Sequence, residues 1–297
     1  MTKVGVVGIR GAWSTERLLD AFEQKTGFRC LIDMETARLD LPERRIIAGG
    51  MDLRELDGIA IKKIGETYST DLLDRLDMLR LLSETGVPIF SNPESIMRVI
   101  NRLSCTVTLQ AAGIPMPPTA ITESPEHAVE AVTQFCGAVL KPLFSTKARG
   151  MRLVHPSDDV QTAIREFKKA NPVMYIQKLL DIPGKDLGVV FVGGEYLTTY
   201  ARVKSSDAWT TSTAFGGKYE PYAPSKEIIA LARKAQSAFN LDFTCVDVVE
   251  SSEGPMVFEV SAFGGFRGIQ MTGNIDAAAV FADYVLGSIG KGGPHAV

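Results

Sequence analysis

The sequence has 297 residues, of which 45% are hydrophobic and 23% are charged, as in an ordinary soluble globular protein. Its net charge of −3 argues against a basic surface for nucleic acid or for an anionic membrane. No apolar run reaches the ~20 residues that a membrane-spanning helix needs. We therefore expect a cytoplasmic protein that binds neither nucleic acid nor membrane.

The N-terminus leads directly into a strand pattern and lacks the features of a secretion signal. The four cysteines are scattered, no Cys-x-x-Cys pair occurs, and the three histidines do not cluster with them. This distribution predicts reduced thiols and disfavours a zinc site.

Residues 1–92 alternate between short apolar strands and amphipathic helices. Strands are predicted at 4–9, 30–33, 58–61 and 88–90, and a helix with a leucine stripe at 71–82. This alternation indicates a small parallel α/β layer. Lys62 and Lys63 follow the carboxyl end of one strand, where open α/β sheets place ligands, although a solvated lysine pair is the alternative.

The middle of the chain predicts one helix over residues 93–113, extended structure at 115–118 and a second helix near 126–136. The strand that follows is apolar except for Lys141, which needs an anionic partner or a route to solvent. Residues 143–151 then supply hydroxyls, two cations and a glycine in a tight connection, which could wrap a polyphosphate. A flexible basic hairpin with Lys141 on an exposed edge is the alternative.

The last third predicts a strand near 173–180, a hairpin over 189–203, a helix from residue 225 and a final hairpin. Between the first hairpin and this helix, residues 205–217 are rich in Thr, Ser and Gly. They predict either a mobile loop over a site or a solvated connector.

Asp247 and Glu259 lie on opposite strands of the final hairpin, whose strands are predicted at 246–250 and 256–260. If the turn is centred on Glu253, Asp247 lies directly opposite Glu259, and facing like charges destabilise a sheet. A divalent cation would compensate for this repulsion, and Ser261 could add a third oxygen. The alternatives are that one carboxylate faces solvent or that the register slips by one residue.

The ordered series of these motifs resembles the ATP-grasp ligases, most closely the RimK type that joins glutamate to a carboxylate by an amide bond. The series comprises the helix after Ser-Asn-Pro93, the Lys141 strand with its Ser-Thr-x-x-x-Gly loop, Tyr-Ile-Gln177, Lys-Asp186, Arg202, Val-Asp247 and Phe-Glu-Val-Ser261. Residues 145–151 are also similar to a bacterial ATP-grasp branch named for the GAK gene system.

The resemblance implies an α/β chain, α+β in its C-terminal part, with an ATP-grasp fold. Residues 1–92 would form a Rossmann-like pre-ATP-grasp domain. Residues 93–180 would form the central ATP-grasp subdomain, and residues 181–297 the C-terminal subdomain with the metal-binding hairpin.

The resemblance also implies a role for each matching residue, with ATP and Mg²⁺ as cofactors. ATP phosphates would be contacted by Arg102, Lys141, Ser145, Thr146, Lys147, Arg149 and Gly150. The adenine hinge would comprise Gln177, Lys178 and Leu179, and Asp186 would lie near nucleotide or substrate. Arg202 would steady the acyl phosphate or the tetrahedral intermediate, Arg267 is an additional catalytic candidate or a surface residue, and Mg²⁺ would be bound by Asp247, Glu259 and Ser261.

Several positions depart from the family pattern. A serine replaces the metal-binding asparagine at Ser261, and an Asp-Lys pair appears as Asn101-Arg102, which keeps the charge but not the geometry of lysine. Further departures are Lys178 for a glutamate, Gly188 for an arginine, and Thr210 and Ser212 for an Arg and an Asn. Nucleotide binding is therefore better supported than the usual substrate chemistry.

The resulting functional expectation is an ATP-dependent carboxylate–amine ligase that acts through an acyl phosphate. It would join an amino-acid amine, glutamate or another, to a small-molecule or peptide carboxylate, and it would form a homo-oligomer, a dimer or a tetramer. The alternatives are an ATP-grasp small-molecule kinase and a non-catalytic nucleotide-binding or regulatory protein.

Overall fold

The computed structural model describes residues 1–206 and 208–291. The first elements are β1 (Val4–Val7), α1 (Trp13–Thr26), β2 (Leu31–Ile32), β3 (Arg38–Asp40), β4 (Arg45–Ala48), β5 (Met51–Asp52), β6 (Gly58–Ile61), α2 (Asp71–Ser83) and β7 (Ile89–Phe90). The predicted parallel layer is confirmed, because β2, β1, β6 and β7 form one parallel sheet in this order.

A second, antiparallel sheet of β3, β4 and β5 was not predicted. Its strands have two to four residues, and in β4 burial alternates so that Ile46 and Ala48 face the core. So few alternating positions do not stand out as a strand pattern in the sequence.

The middle of the chain contains α3 (Pro93–Ile100), α4 (Arg102–Ala111), β8 (Thr119–Thr122), α5 (Pro125–Gln134), β9 (Ala138–Lys141), β10 (Arg152–Val154), α6 (Val160–Ala170) and β11 (Met174–Lys178). The strands form an antiparallel sheet in the order β10-β9-β11-β8, and α5 and α6 share an apolar core with it.

The prediction of one helix over residues 93–113 was wrong, because the chain breaks at Asn101. Asn101 is extended, with φ −88° and ψ 112°, and its side-chain oxygen accepts a hydrogen bond of 3.1 Å from the Ser104 N–H. It therefore caps a new helix, the position that asparagine favours, and Arg102 becomes the first residue of α4.

The last part contains β12 (Lys185–Val192), β13 (Glu195–Val203), β14 (Lys218–Pro221), α7 (Lys226–Ser237), β15 (Phe243–Ser251), β16 (Gly254–Ser261), α8 (Phe266–Thr272) and α9 (Ala277–Ile289). The five strands form an antiparallel sheet in the order β14-β13-β12-β15-β16. Within the predicted loop at 205–217, Thr213–Phe215 forms a 3₁₀ turn.

The helix α9 packs against α1 and β6 of the first sheet. Its residues Phe281 and Val285 share one core with Val6 and Phe22, and each is at most 1% exposed. The end of the chain thus covers the parallel sheet, so the division at residues 92 and 180 stays a prediction, and residues 292–297 lie outside the described residues. None of the described helices has the length and apolar character needed to cross a lipid bilayer.

Candidate active site

The predicted pairing of Asp247 with Glu259 is confirmed, although the strands reach it by a different route. The turn is formed by Ser252 and Glu253, because Ser251 pairs with Gly254. This tighter turn alone would put Phe258 opposite Asp247. A bulge between Asp247 and Val248 absorbs one extra residue, Phe258, and restores Glu259 as the partner of Asp247.

Both carboxylates line a cleft of about 480 Å³ between the hairpin and the first sheet. Predicted site residues that line this cleft are Arg102, Thr146, Lys147, Arg149, Arg202, Asp247, Glu259, Ser261 and Arg267. Those that do not line it are Lys141, Ser145, Gly150, Gln177, Lys178, Leu179 and Asp186. The cleft therefore gathers both predicted catalytic arginines and all three predicted metal ligands.

Arg202 lies between two carboxylates on neighbouring strands. Its guanidinium donates to both oxygens of Asp186, the residue paired with it across β12 and β13, and Nη2 is 2.8 Å from Asp247 Oδ2. Burial lowers the pKa of Arg202, but the charges of Asp247 and Asp186 outweigh it and hold the pKa well above the ordinary value. Asp186 is 3% exposed, and its observed contact is with this guanidinium.

Burial raises the pKa of Asp247 to about 7, against the opposing charge of Arg202 and with further increases from Asp186 and Glu259. A buried carboxylate beside two other acids gains from added positive charge. The structure of the site thus contains a local excess of negative charge at the predicted metal position.

Arg102 connects the second acid to the loop that is predicted to cover the ATP phosphates. Its Nη1 is 2.8 Å from Glu259 Oε2, Nη2 donates to Ser145 Oγ at 3.3 Å, and Nε donates to the Pro142 carbonyl at 3.1 Å. Because Arg102 is 8% exposed and begins α4, the break at Asn101 is what aims this charge at the hairpin.

Lys141 ends β9 and is 9% exposed, so the alternative of an exposed basic hairpin edge was wrong. Its Nζ donates to Gln177 Oε1 and lies 5.2 Å from the centre of the Phe258 ring. Burial and then the charge of Arg102 lower its pKa from 10.5 to about 7, although the charges of Glu259 and Asp247 oppose this decrease. The bulge that aligns the acids therefore also brings Phe258 to the lysine.

The loop that follows β9 has a backbone suited to a tight wrap. Lys147, Ala148 and Gly150 have positive φ values of 57°, 58° and 69°. Consecutive residues of this kind point their N–H groups in related directions, which favours anion binding. The Ser212 hydroxyl donates to the Lys147 carbonyl at 3.3 Å and Thr213 lines the cleft, so residues from 205–217 do lie over the site.

The hinge residues are already hydrogen-bonded within the fold. The Lys178 N–H donates to the Pro118 carbonyl at 2.8 Å and the Leu179 N–H to the Gly137 carbonyl at 3.1 Å. The Lys178 side chain is 3.7 Å from Glu253 at the hairpin turn. In this conformation the backbone N–H groups of Lys178 and Leu179 are occupied, so adenine would have to contact other atoms of the hinge. The hinge role stays a prediction.

Gly188 explains one departure from the family pattern. It pairs with Asp247 on β15 and with Tyr200 on β13. A Cβ added at Gly188 would lie 2.4 Å from the Tyr200 ring, so the ring occupies the space that an arginine side chain would need. The basic group next to Asp247 is instead Arg202, which lies on β13, on the far side of β12 from Asp247.

The donor set at Asp247, Glu259 and Ser261 fits a magnesium ion. Within the described residues, no three His, Cys, Asp or Glu side chains come together as metal ligands, so the protein offers two carboxylates and one hydroxyl. Mg²⁺ commonly uses one or two carboxylates and completes its coordination with phosphate oxygens and water. Hard oxygen donors and the negative charge beside Asp247 both suit this ion.

Lys62 was predicted at a strand end that could bind a ligand, with a solvated lysine pair as the alternative, and the structure buries it beside the cleft. It is 2% exposed, not solvated, and its Nζ donates to the carbonyl oxygens of Phe263 and Gly264 in the loop after β16. The signal that pointed to Lys141, a lysine joined to an apolar strand, was present at the end of β6 as well.

The chain is similar to known proteins over most of its length. Residues 99–285 match the RimK-like ATP-grasp domain. The tetrahydromethanopterin:alpha-L-glutamate ligase of Methanosarcina acetivorans is 24% identical over 317 residues, covering 96% of this chain and 98% of that protein. A probable alpha-L-glutamate ligase of Thioalkalivibrio sulfidiphilus is 24% identical over 286 residues, covering 92% of this chain and 91% of that protein.

Among solved structures, the ATP-grasp ligase PsnB complexed with a phosphomimetic variant of minimal precursor, Mg and ADP has a similar fold. Its TM-score is 0.76 with 18% identity, over 97% of this chain and 99% of that chain. ATP and Mg²⁺ are typical cofactors of this fold, in agreement with the expectation from the sequence. Since the family match spans more than half of the chain, this protein belongs to the RimK-like ATP-grasp domain family.

Proposed function

We propose that this chain is an ATP-dependent carboxylate–amine ligase that adds L-glutamate, or another amino acid, to a carboxylate acceptor. The choice of glutamate rests on the relatives named alpha-L-glutamate ligase. The substrate carboxylate would attack the γ-phosphorus of ATP to give an acyl phosphate and ADP. The amine would then displace phosphate and form the amide.

The residues of the cleft and those directly beside it would do this work by position and charge, as in other phosphoryl transfers. Bound Mg²⁺ would supply charge neutralisation on the ATP phosphates. Arg102 and Lys141 would neutralise the triphosphate from one side and the loop 145–150 would cover it. Arg202 would stabilise the oxyanion of the acyl-transfer step, held in place by Asp186.

The observation that carries the proposal is the pair of Asp247 and Glu259 facing each other in a cleft. Each acid is ion-paired to an arginine at 2.8 Å. A nucleophilic Ser or Cys is not required by this chemistry, because the substrate carboxylate is itself the nucleophile. Two acids and two arginines that line one cleft suit a reaction in which the negatively charged phosphates of ATP bind and inorganic phosphate is released.

The test is amine-dependent ADP release from the purified chain with Mg·ATP, L-glutamate and a library of carboxylates, followed by the product mass. We expect a product heavier by one glutamyl residue. Asp247→Asn should lower the turnover by about 10³-fold or more, because a carboxylate that neutralises phosphoryl-transfer charge is removed. Glu250→Gln is the matched control, since Glu250 lies on the same strand, bonds the Tyr222 hydroxyl at 2.7 Å and does not line the cleft.

Other outcomes would identify the alternatives. A stable phosphorylated product without an amine requirement would indicate a small-molecule kinase. Binding of Mg·ATP without amine-stimulated ADP release for any acceptor would indicate a non-catalytic nucleotide-binding protein. Turnover of Asp247→Asn at the wild-type rate would contradict the assigned chemistry.

A further inference from the structure

The cations that line the cleft include Lys63, Lys147 and Arg267. None of the three forms an ion pair with a carboxylate among the described residues. Lys147 and Arg267 are exposed and Lys63 is half-buried, but all three line the same cavity.

These charges act on one another. Burial lowers the pKa of the half-buried Lys63, and the charges of Lys147 and Arg267 lower it further, while Glu66 opposes them. Lysine and arginine therefore lie close enough to repel each other across the cavity. An anion bound between them would remove this repulsion.

Two of the three cations are not explained by the nucleotide. Lys147 belongs to the loop predicted to cover ATP, whereas Lys63 follows β6 and Arg267 lies in the first turn of α8. The family resemblance assigned neither of these two to the phosphates. The Lys63 N–H donates to the Val7 carbonyl at 3.2 Å, so this residue stands at the carboxyl edge of the parallel strands, where α/β sheets bind ligands.

Contacts of neighbouring groups position the Lys63 backbone and the Arg267 side chain. Lys62, the neighbour of Lys63, binds the Phe263 and Gly264 carbonyls, and its Nζ lies 3.9 Å from the centre of the Phe266 ring. This contact ties the end of β6 to the start of α8. The Arg267 guanidinium lies 5.3 Å from the centre of the Trp13 ring, which supports it from α1.

We propose that Lys63 and Arg267 form a subsite that binds a second anionic group, carboxylate or phosphate, on the acceptor whose other carboxylate reacts. This inference rests on the proposed ligase function and adds the class of acceptor to it. The acceptor is at least dianionic, and its second charge points towards the first sheet, away from the triphosphate.

The experiment compares N-acetyl-L-glutamate with N-acetyl-L-glutamine, which differ by one charge. Titration calorimetry with the full chain, its nucleotide site filled with Mg·AMPPNP, should show about 10-fold or more tighter binding of the dianion, as expected for a charge-assisted contact. Lys63→Gln and Arg267→Gln should each remove most of this preference, and Lys63→Glu should reverse it. N-acetyl-O-phosphoserine tests whether phosphate or carboxylate is favoured.

Lys226→Gln is the matched control, because Lys226 is an exposed lysine at the start of α7 outside the cleft. It should keep the wild-type preference. Equal or undetectable binding of both probes by the wild type, or an unchanged preference in Lys63→Gln and Arg267→Gln, would overturn the subsite.

The subsite and the proposed function fail separately. Charge-selective binding that depends on Lys63, without ADP release for any acceptor and amine, would leave the subsite standing and refute the ligase. ADP release with monoanionic acceptors at an efficiency unaffected by Lys63→Gln would refute the subsite and leave the ligase standing.

Discussion

Lys62 and Lys141 are chemically alike and differ in what they bind. Each is joined to the end of a strand whose residues are all buried, β6 and β9. They are 2% and 9% exposed, and burial is the largest cause that lowers each pKa from 10.5 to about 7. A buried ammonium group requires partners, and the two strands provide different ones.

Lys141 is bound by the side-chain amide of Gln177. Gln177 Oε1 accepts a hydrogen bond from Lys141 Nζ. The Gln177 amide nitrogen in turn donates to Thr119 Oγ1 at 3.2 Å and to the Tyr175 hydroxyl at 3.3 Å. The negative charges of Glu259 and Asp247 in the hairpin raise the pKa of Lys141 and so favour its charged form. An incoming phosphate could replace a neutral amide at this lysine with a gain in charge pairing.

Lys62 is bound by the main chain of the loop after β16. Two carbonyl oxygens accept from it and two aromatic rings, Phe266 and Phe243, flank it at 3.9 and 5.3 Å. These partners are fixed by the fold. We therefore expect Lys141 to exchange its partner when a phosphate binds, and Lys62 to hold the end of β6 against the loop after β16.

The largest expected effect separates the two lysines by nucleotide binding. Lys141→Met should weaken Mg·AMPPNP binding by about 100-fold, because a charge-assisted contact to phosphate is lost from a buried position. Lys62→Met should leave nucleotide affinity within about 2-fold of the wild type, since main-chain carbonyls and not phosphates are its partners. Isothermal titration of each folded variant measures both values, and equal losses would break the comparison.

A second test uses the pH dependence of stability. The unfolded Lys62 titrates near 10.5 and the folded one near 7, so between these values the unfolded state binds more protons and stability rises with pH. From about pH 7.5 to 9 the free energy of unfolding of the wild type should rise by about 2 kcal/mol relative to Lys62→Met. Urea denaturation at both pH values measures this difference, and parallel curves would contradict the burial of a charged Lys62.

The smallest effect concerns the pH dependence of nucleotide affinity. Phosphate favours the charged form of Lys141, so above its pKa of about 7 nucleotide binding must take up a proton. Wild-type affinity for Mg·AMPPNP should fall by up to about 10-fold per pH unit from pH 7.5 upwards. Lys62→Met should show the same decrease and Lys141→Met should not, and a decrease that persists in Lys141→Met would assign it to another group.

The sequence predicted the hairpin partners but not the geometry that joins them. The pairing of Asp247 with Glu259 followed from strand length and turn position. The two-residue turn and the bulge at Phe258 were not predictable. The tighter turn shifts the strand pairing by one residue and the bulge shifts it back, so the residues before the bulge pair as they would across a longer turn without a bulge. Asn101 shows the same limit, because the helical pattern continues through residues 93–113 and the break is visible only in the extended backbone of Asn101 between α3 and α4.

Periodicity and helix breakers were enough to predict the α/β class and the strand that contains Lys141. The ordered motifs were enough to show the resemblance to the family, because each motif consists of residues close together in the chain. The tertiary structure decided which charges meet. Arg102 reaches Glu259, which lies 157 residues away in the chain, and Lys62 reaches Phe263, 201 residues away. Such contacts depend on how separate helices and strands pack. The free energy that favours one packing is a sum over the whole core, so a short stretch of sequence does not reveal it.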